Sequence, residues 1–263
     1  MPDPDIDAMT QLIANDVGLA GGVLKTVNSP FYGGGGKITS ISQAVAILGM
    51  AAVMEIINTL CLRNARLQID DIDDDLFASM TRFWDSATDV ARACSLVGQK
   101  MGFPKLDQAY ALGLFHNAGI PLLMLKYDGY AEVLRESYAA PMPRIVDVEN
   151  RRLDTNHAVM SFFVARSWKL PSHLCRIISS HHNIDTFLAR DIPDTESNQL
   201  LAMLKIAEHL AKLYLVIGGQ SHDSEWEQIG ERALVVAGIT SYDLEDLQMQ
   251  AADLGLGDQQ YFI

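Results

Sequence analysis

The chain has 263 residues, 49% of them hydrophobic, so it can bury a sizeable core in one large domain or two small ones. Its 33 acidic and 20 basic side chains give a formal net charge of −13, which repels the phosphates of nucleic acids and anionic membranes. We therefore expect neither as a partner, and favour a protein partner, such as one with a basic surface.

Features linked to cellular location agree with one another. Cys61, Cys94 and Cys175 are odd in number and lie in apolar helical contexts, which predicts buried thiols in a reducing compartment. Met1–Asp7 is acidic and lacks the basic and apolar regions of a signal peptide. No run approaches the roughly 18 apolar residues of a membrane helix. These features predict a cytoplasmic protein without a membrane anchor.

The first sixty residues predict four short helices, because apolar residues recur at the spacing of one helix face. Their apolar positions are Met9, Leu12 and Ile13, then Leu19, Val23, Leu24 and Val27, then Ala44, Ile47 and Leu48, then about Ala51 to Leu62. Ser29-Pro30 separates the second helix from the third. Ser40, followed three residues later by Gln43, is typical of a capping box that begins the third.

The glycine run Gly33–Gly36 superficially resembles a phosphate-binding loop. Such a loop needs Gly-Lys followed by Ser or Thr, whereas Ile38 follows Lys37 here. The preceding segment is helical and ends at Pro30, so no buried strand leads into it. We interpret the run as a flexible turn between helices.

The acidic run Asp70–Asp75 marks a candidate boundary. A calcium loop of the EF-hand type is disfavoured, because its sixth and twelfth positions would be Asp75 and Thr81 instead of Gly and Glu. We expect a solvated loop whose carboxylates also suit the start of the next helix. The predicted parts are an N-terminal helical part (1–75), a helical core (76–220) and a C-terminal helical extension (221–263).

Helical periodicity continues to the end of the chain, and alternating strand patterns with hairpin turns are missing. The predicted helices are about Phe77–Met101, Leu106–Tyr127, Gly129–Ser137, Ile145–Arg152, His157–Trp168, Ser172–Asn183, Thr195–Gly218 and two shorter ones from Trp226 to Leu254. The helix Thr195–Gly218 is apolar on two sides, which indicates a central position. Trp168 lies where one helix ends and the next begins, and we expect it to be mostly buried. The fold class is an all-α multi-helix bundle.

Four histidines and one glutamate fall within apolar helical segments or at their starts: His116, His157, His181, His182 and Glu208. His181 continues the apolar stripe that begins at Leu174, and His182 lies four residues after Ile178, so the pair turns inward. Glu208 lies four residues after Leu204, and a buried carboxylate there needs a partner. Such a set suits either a metal site or a buried polar network that fixes helix packing.

Several short segments together resemble the HDOD domain family. Its opening half matches Asn28-Ser29-Pro30-Phe31-Tyr32-Gly33, Lys37-Ile38 and Ala44 to Gly49. Its later half matches Phe83-Trp84, Gly113 to Gly119, His157, Trp168-Lys169-Leu170-Pro171 and His181-His182. The resemblance covers about residues 5 to 220 and is specific in order and spacing, although the usual first helix is shortened here.

The resemblance implies an HD-like core with an N-terminal helical layer, related to HD-type metal phosphohydrolases but generally non-catalytic and common in bacterial signalling. HD enzymes bind metal through a His, a His-Asp pair and a later Asp, which fall here at Ser86, His116 with Asn117, and Glu208. Ser86 is a poor metal ligand, and Asn117 is neutral. The resemblance therefore implies no catalytic residues and a vestigial cleft of Ser86, His116, Asn117, His157, His181, His182 and Glu208.

We accordingly expect a signal-transduction protein that acts by protein–protein interaction without catalysis, with signalling components as partners. No cofactor is expected; any adventitious or residual divalent metal would lie at His116, His157, His181, His182 and Glu208. One alternative is a metal-dependent phosphohydrolase with altered ligands. Another is a sensing module that binds a small nucleotide without hydrolysing it.

Overall fold

The computed structural model describes residues 6–29, 38–57, 74–139, 144–183 and 196–258, and every regular element in these ranges is helical. This confirms the all-α fold class. None of the helices in these ranges is both long and apolar enough to cross a bilayer. Cys94 and Cys175 are buried free thiols, as expected. The glycine run 33–36, residues 70–73 of the acidic run and Cys61 lie outside the described residues.

The N-terminal layer consists of α1 (Ile6–Ala14), α2 (Val17–Val27), α3 (Ile41–Leu48) and α4 (residues 50–57). The Ser40 hydroxyl accepts the amide hydrogen of Gln43, so the predicted start of α3 is confirmed. The Asn28 side chain donates to the Ile38 carbonyl at 2.8 Å and accepts from the Ile38 amide at 3.0 Å. This pair of bonds joins the end of α2 to the segment that leads into α3.

Eleven further helices follow in the described residues. They are α5 (Asp74–Lys100), α6 (Leu106–Phe115), α7 (Ile120–Lys126), α8 (Tyr130–Ala139), α9 (Val146–Leu153), α10 (His157–Ser167), α11 (Ser172–Ser180), α12 (Glu196–Leu210), α13 (Leu213–Val216), α14 (Ser224–Ala237) and α15 (Ser241–Asp253). Helix α12 packs against α5, α6, α11 and α14. Nearly every residue from Leu200 to Leu210 is buried, which confirms its predicted central position.

One hydrophobic cluster of buried residues extends from Ile13 in α1 to Leu256 beyond α15. The N-terminal layer, the helices around α12 and the last two helices therefore share apolar contacts. The boundaries proposed at 75/76 and 220/221 stay predictions.

Two predicted helices are wrong in extent. Leu106–Tyr127 is divided into α6 and α7 by a turn at residues 116–119, where the Gly119 backbone packs against α10. A Cβ at Gly119 would lie within 2.6 Å of the Ser161 nitrogen and the His157 carbonyl oxygen. The long helix predicted to reach Gly218 ends as α12 at Leu210, because Lys212 adopts a left-handed conformation (φ 51°) before α13 begins.

Trp168 joins the N-terminal layer to the core at the predicted helix junction. Its indole is partly buried and meets the Phe115 ring edge to face at a centroid distance of 5.1 Å. It also lies directly on Gly21 of α2, where a Cβ would come within 2.5 Å of the ring. The absence of a side chain at Gly21 therefore makes room for the indole.

We expect Trp168→Ala to lower the free energy of unfolding by roughly 3 kcal/mol, near the lower end for a large aromatic because the ring is only partly buried. Gly21→Ala should cost about 1–3 kcal/mol through overpacking against the indole. In the double variant this second cost should largely disappear, since the indole is gone. Urea denaturation of all four proteins measures the coupling.

Tyr242 is 79% exposed on α15, so Tyr242→Ala is the matched aromatic control and should change stability by less than about 0.5 kcal/mol. Additive losses at Gly21 and Trp168 would contradict the contact, since only interacting positions couple.

Candidate functional site

The ends of several helices bring five of the predicted site residues together. His116 follows α6, His157 begins α10, His181 and His182 follow α11, and Glu208 lies in the last turn of α12. All four histidines are at most 2% exposed and Glu208 is 6% exposed. The imidazole rings contact one another, with centroid distances from 4.1 Å for His181–His182 to 5.5 Å for His157–His181. We call these five residues the histidine cluster.

Two of these imidazoles are held by main-chain carbonyls. His116 Nδ1 lies 2.6 Å from the Gly113 carbonyl oxygen, and His181 Nδ1 lies 2.7 Å from the Ile178 carbonyl oxygen. Because a carbonyl oxygen only accepts, Nδ1 donates in both rings. A neutral imidazole in this tautomer presents a lone pair at Nε2. Both Nε2 atoms are buried.

The other two imidazoles are held by glutamates that the sequence analysis did not single out. His157 Nδ1 lies 2.5 Å from Glu149 Oε2, and His182 Nδ1 lies 2.8 Å from Glu225 Oε1. Ionised carboxylates only accept, which again assigns the hydrogen to Nδ1. The Nε2 atoms of His157 and His182 are 3.0 Å apart. With both rings neutral, two lone pairs face each other, so this pair requires a shared proton or a shared electrophile.

Glu149 is the most completely bonded residue at the site. It is fully buried in α9, and its Oε1 accepts from the Tyr130 hydroxyl at 2.6 Å and from the His157 amide at 3.1 Å. Together with the bond to the ring, these contacts fix both the position and the tautomer of His157.

Lys205 places a positive charge beside the histidine cluster. Its Nζ donates to Glu208 Oε2 at 2.8 Å and to Glu225 Oε2 at 3.0 Å, and lies 3.4 Å from His182 Nδ1. Its position three residues before Glu208 on α12 was the available sequence signal. Glu225 offered no such sequence signal, because it lies in the segment that the sequence analysis interpreted as a C-terminal extension.

Burial determines the ionisation of these groups. It lowers the pKa of His116 to about 3 and the pKa values of His181 and His182 well below their usual range, and the nearby Lys205 ammonium adds to all three shifts. Burial raises the pKa of Glu208 to about 7. Burial alone would lower the pKa of Lys205, but the carboxylates of Glu208 and Glu225 raise it above its usual value.

Several buried polar atoms at the site have no hydrogen-bond partner within the described part of the chain. They are His116 Nε2, His181 Nε2, Glu208 Oε1 and Asn117 Oδ1. His116 Nε2 lies 3.4 Å from Glu208 Oε1. Unsatisfied buried polar atoms are unfavourable and are usually explained by strain, a bound ion or a water molecule.

Asn117 and Ser86 are the two predicted site residues outside the histidine cluster. Asn117 is buried in the same turn as His116. Ser86 is also buried, and its hydroxyl donates to the Phe83 carbonyl of its own helix at 2.8 Å. Among the described contacts, none joins Ser86 to the histidine cluster.

A small cavity lies beside the histidine cluster in the described part of the chain. Its volume is about 20 Å³, and it borders Lys205, Glu208 and Glu225 and is also lined by Tyr138 and Trp226. This volume accommodates about one water molecule.

A helical bundle with a buried histidine cluster at converging helix ends defines an HD-like domain. The sequence model of the HDOD domain matches residues 1–184, and the chain belongs to the HDOD family. The resemblance inferred from the sequence is thereby confirmed. Lys205, Glu208 and Glu225 lie beyond the matched residues.

The individual relatives have low sequence identity to this chain. An uncharacterised protein of Treponema pallidum (strain Nichols) is 26% identical over 185 residues, which are 70% of this chain but 34% of that protein, so the chain spans about a third of its length. The crystal structure of the MmoQ response regulator of Methylococcus capsulatus strain Bath has a TM-score of 0.66 at 20% identity, covering 94% of this chain and 90% of that one. An HDOD domain protein of Geobacter sulfurreducens has a TM-score of 0.50 at 22% identity, covering 100% and 88%. These structures support the fold.

The depressed histidine pKa values predict loss of stability in mild acid. A histidine whose pKa is lower in the folded than in the unfolded state contributes stability above about pH 6.5 that is lost as the pH falls. His116, His181 and His182 act in this direction, and Glu208, with its raised pKa, opposes them by about one proton. In the presence of a chelator, we expect the free energy of unfolding to fall by roughly 2–3 kcal/mol per pH unit from pH 6 to 5.

Urea denaturation at closely spaced pH values measures this slope. His181→Gln should reduce it by roughly 1.4 kcal/mol per pH unit, the effect of one proton. The exposed His222 provides the control, and His222→Gln should leave the slope unchanged. A flat profile between pH 6.5 and 5 would show that the histidines are not held neutral by burial.

Proposed function

We propose that this protein is a bacterial signal-transduction protein that acts by binding other proteins, without catalysis. Membership of the HDOD family supports a signalling role, and the MmoQ protein, which shares the fold, is named a response regulator. The acidic net charge of −13 favours a partner with a basic surface over nucleic acid.

The observation that carries the proposal is the closed state of the polar cluster around Lys205. A phosphoester needs room beside an accessible metal-bound hydroxide, whereas the cavity here has about 20 Å³. The Lys205 ammonium lies between Glu208 and Glu225 with its side chain only 2% exposed. The carboxylate that would receive a catalytic metal thus already has a cation.

The residues at the HD metal-ligand positions also support a function without catalysis. Of the four HD positions, Asn117 is neutral and the hydroxyl of Ser86 bonds to its own helix. Generation of hydroxide near neutral pH depends on a strongly bound metal with an open coordination position. The cavity beside Lys205 is also too small for a nucleotide.

An exposed apolar patch on α7 and α10 is the surface that we assign to the partner. Val159 and Phe163, one turn apart on α10, are 39% and 57% exposed, and Leu122 and Leu125 are exposed on α7, which packs against α10. Exposed apolar side chains on neighbouring helices suit a protein-binding surface, where aromatic residues provide much of the affinity.

The absence of phosphohydrolase activity is tested with purified protein. The protein is assayed against mononucleotides, cyclic dinucleotides and a generic phosphodiester, each with manganese, iron, nickel or zinc. We expect no turnover above the metal-only blank, because the cluster is closed to substrate. Turnover that follows metal occupancy and disappears in His116→Ala would favour the phosphohydrolase alternative instead.

Partner binding is tested by cross-linking and affinity purification from the source bacterium. Phe163→Asp should abolish capture of the specific partner while leaving the unfolding midpoint unchanged, because the ring is mostly exposed. Tyr242→Asp is the matched control on α15 and should retain capture. If both variants capture the same proteins as the wild type, the α7–α10 patch is not the partner surface.

A further inference from the structure

We infer that the Nε2 atoms of His157, His181 and His182 form a binding site for one structural transition-metal ion of the Zn²⁺ class. Imidazole nitrogens suit zinc and the neighbouring first-row metals. These residues are not the ligand set implied by the HD resemblance, of which Ser86 and Asn117 are unsuitable. The inference does not rest on the proposed signalling function, because metal binding is measured without a partner or a substrate.

The orientation of the imidazoles is the first support. Glu149, the Ile178 carbonyl and Glu225 each bind the Nδ1 of one ring, so all three Nε2 lone pairs are free for a metal. Histidine ligands of metal ions almost always donate their other ring nitrogen to a carboxylate or carbonyl in this way. The pattern is thus that of a preorganised ligand set with its supporting shell.

Distances provide the second support. One nitrogen from each of His157, His181 and His182 lies within 4.8 Å of the other two, and the Nε2 atoms of His157 and His182 are 3.0 Å apart. Tetrahedral zinc with bonds of about 2.0–2.1 Å places its ligands about 3.4 Å from one another. The spacing of the three rings is therefore close to that of a zinc site.

Unpartnered atoms provide the third support. His181 Nε2, His116 Nε2 and Glu208 Oε1 are buried without a hydrogen-bond partner in the described part of the chain. The last two belong to residues at the edge of the site, where His116 contacts the ring of His181 and Glu208 is paired with Lys205. A cation bound by the three imidazoles gives a partner to the unpaired Nε2 atom of His181.

Charge balance is the fourth support. Glu149, Glu208 and Glu225 place three carboxyl groups beside the single ammonium of Lys205 in a buried region. Uncompensated buried charge is strongly unfavourable. A divalent cation bound by the nearby histidines offsets this excess of acidic groups.

The test uses the whole chain, freed of metal with a chelator and then titrated with Zn²⁺. We expect one ion per chain and a rise in the unfolding midpoint of about 5 °C or more at saturating metal. Co²⁺ in place of Zn²⁺ should give the intense visible bands of tetrahedral coordination by nitrogen. These readouts require no enzymatic activity and no partner, so they are unaffected if the proposed function fails.

Variants locate the ion. His181→Gln and His182→Gln should lose the one-to-one binding, and Glu149→Gln should weaken it about 10- to 100-fold through the orientation of His157. His173→Gln is the matched control on α11, because His173 pairs with Gln108 away from the cluster and should bind as the wild type does. Should a ligand variant fail to fold, the wild-type stoichiometry and Co²⁺ spectrum decide alone.

The inference is overturned if the wild-type chain binds less than about a tenth of an equivalent of Zn²⁺, Co²⁺ or Ni²⁺, or if its unfolding midpoint does not respond to them. Equal loss of binding in His173→Gln and His181→Gln would overturn it as well, because the metal would then be held elsewhere.

Discussion

The structure depends on burying four imidazole rings whose Nδ1 atoms are all engaged. Two of these rings bond to the carbonyls of Gly113 and Ile178, at the ends of α6 and α11, where helical carbonyls have no partner in the helix. The same side chains thus terminate two helices and face the centre of the molecule. Because helix ends carry the cluster, α6, α10, α11 and α12 must converge at one point, and the packing of the core follows from this requirement.

Charges from several parts of the chain keep the cluster stable. Glu149 comes from α9, Lys205 and Glu208 from α12, and Glu225 from α14. Removing Lys205 would leave Glu208 and Glu225 buried without their ammonium, which is strongly destabilising. The segment after residue 220 is therefore coupled energetically to the centre through Glu225, although the resemblance to HDOD domains did not require it.

A site residue could be predicted from the sequence only where its local sequence pattern gave a signal. His181, His182 and Glu208 could be found because each interrupts an apolar helical stripe. Glu149 could not, because α9 reads as a charged surface helix and its contact with His157 forms only after the chain turns at residues 154–156. The division of the predicted helix Leu106–Tyr127 was missed for a related reason: its apolar pattern is continuous, and the close approach of Gly119 to α10 is a tertiary constraint.

The phosphohydrolase alternative requires access to the histidine cluster. In an enzyme, an open coordination position and a cavity for the substrate accompany the metal. Here Lys205 joins Glu208 of α12 to Glu225 of α14, and opening the cluster requires breaking both ion pairs in a region of low dielectric. The charges that hold these helices together therefore also oppose the entry of a substrate. Under the proposed function, a partner binds an outer helical face, and the buried cluster keeps the helices beneath that face in fixed relative positions.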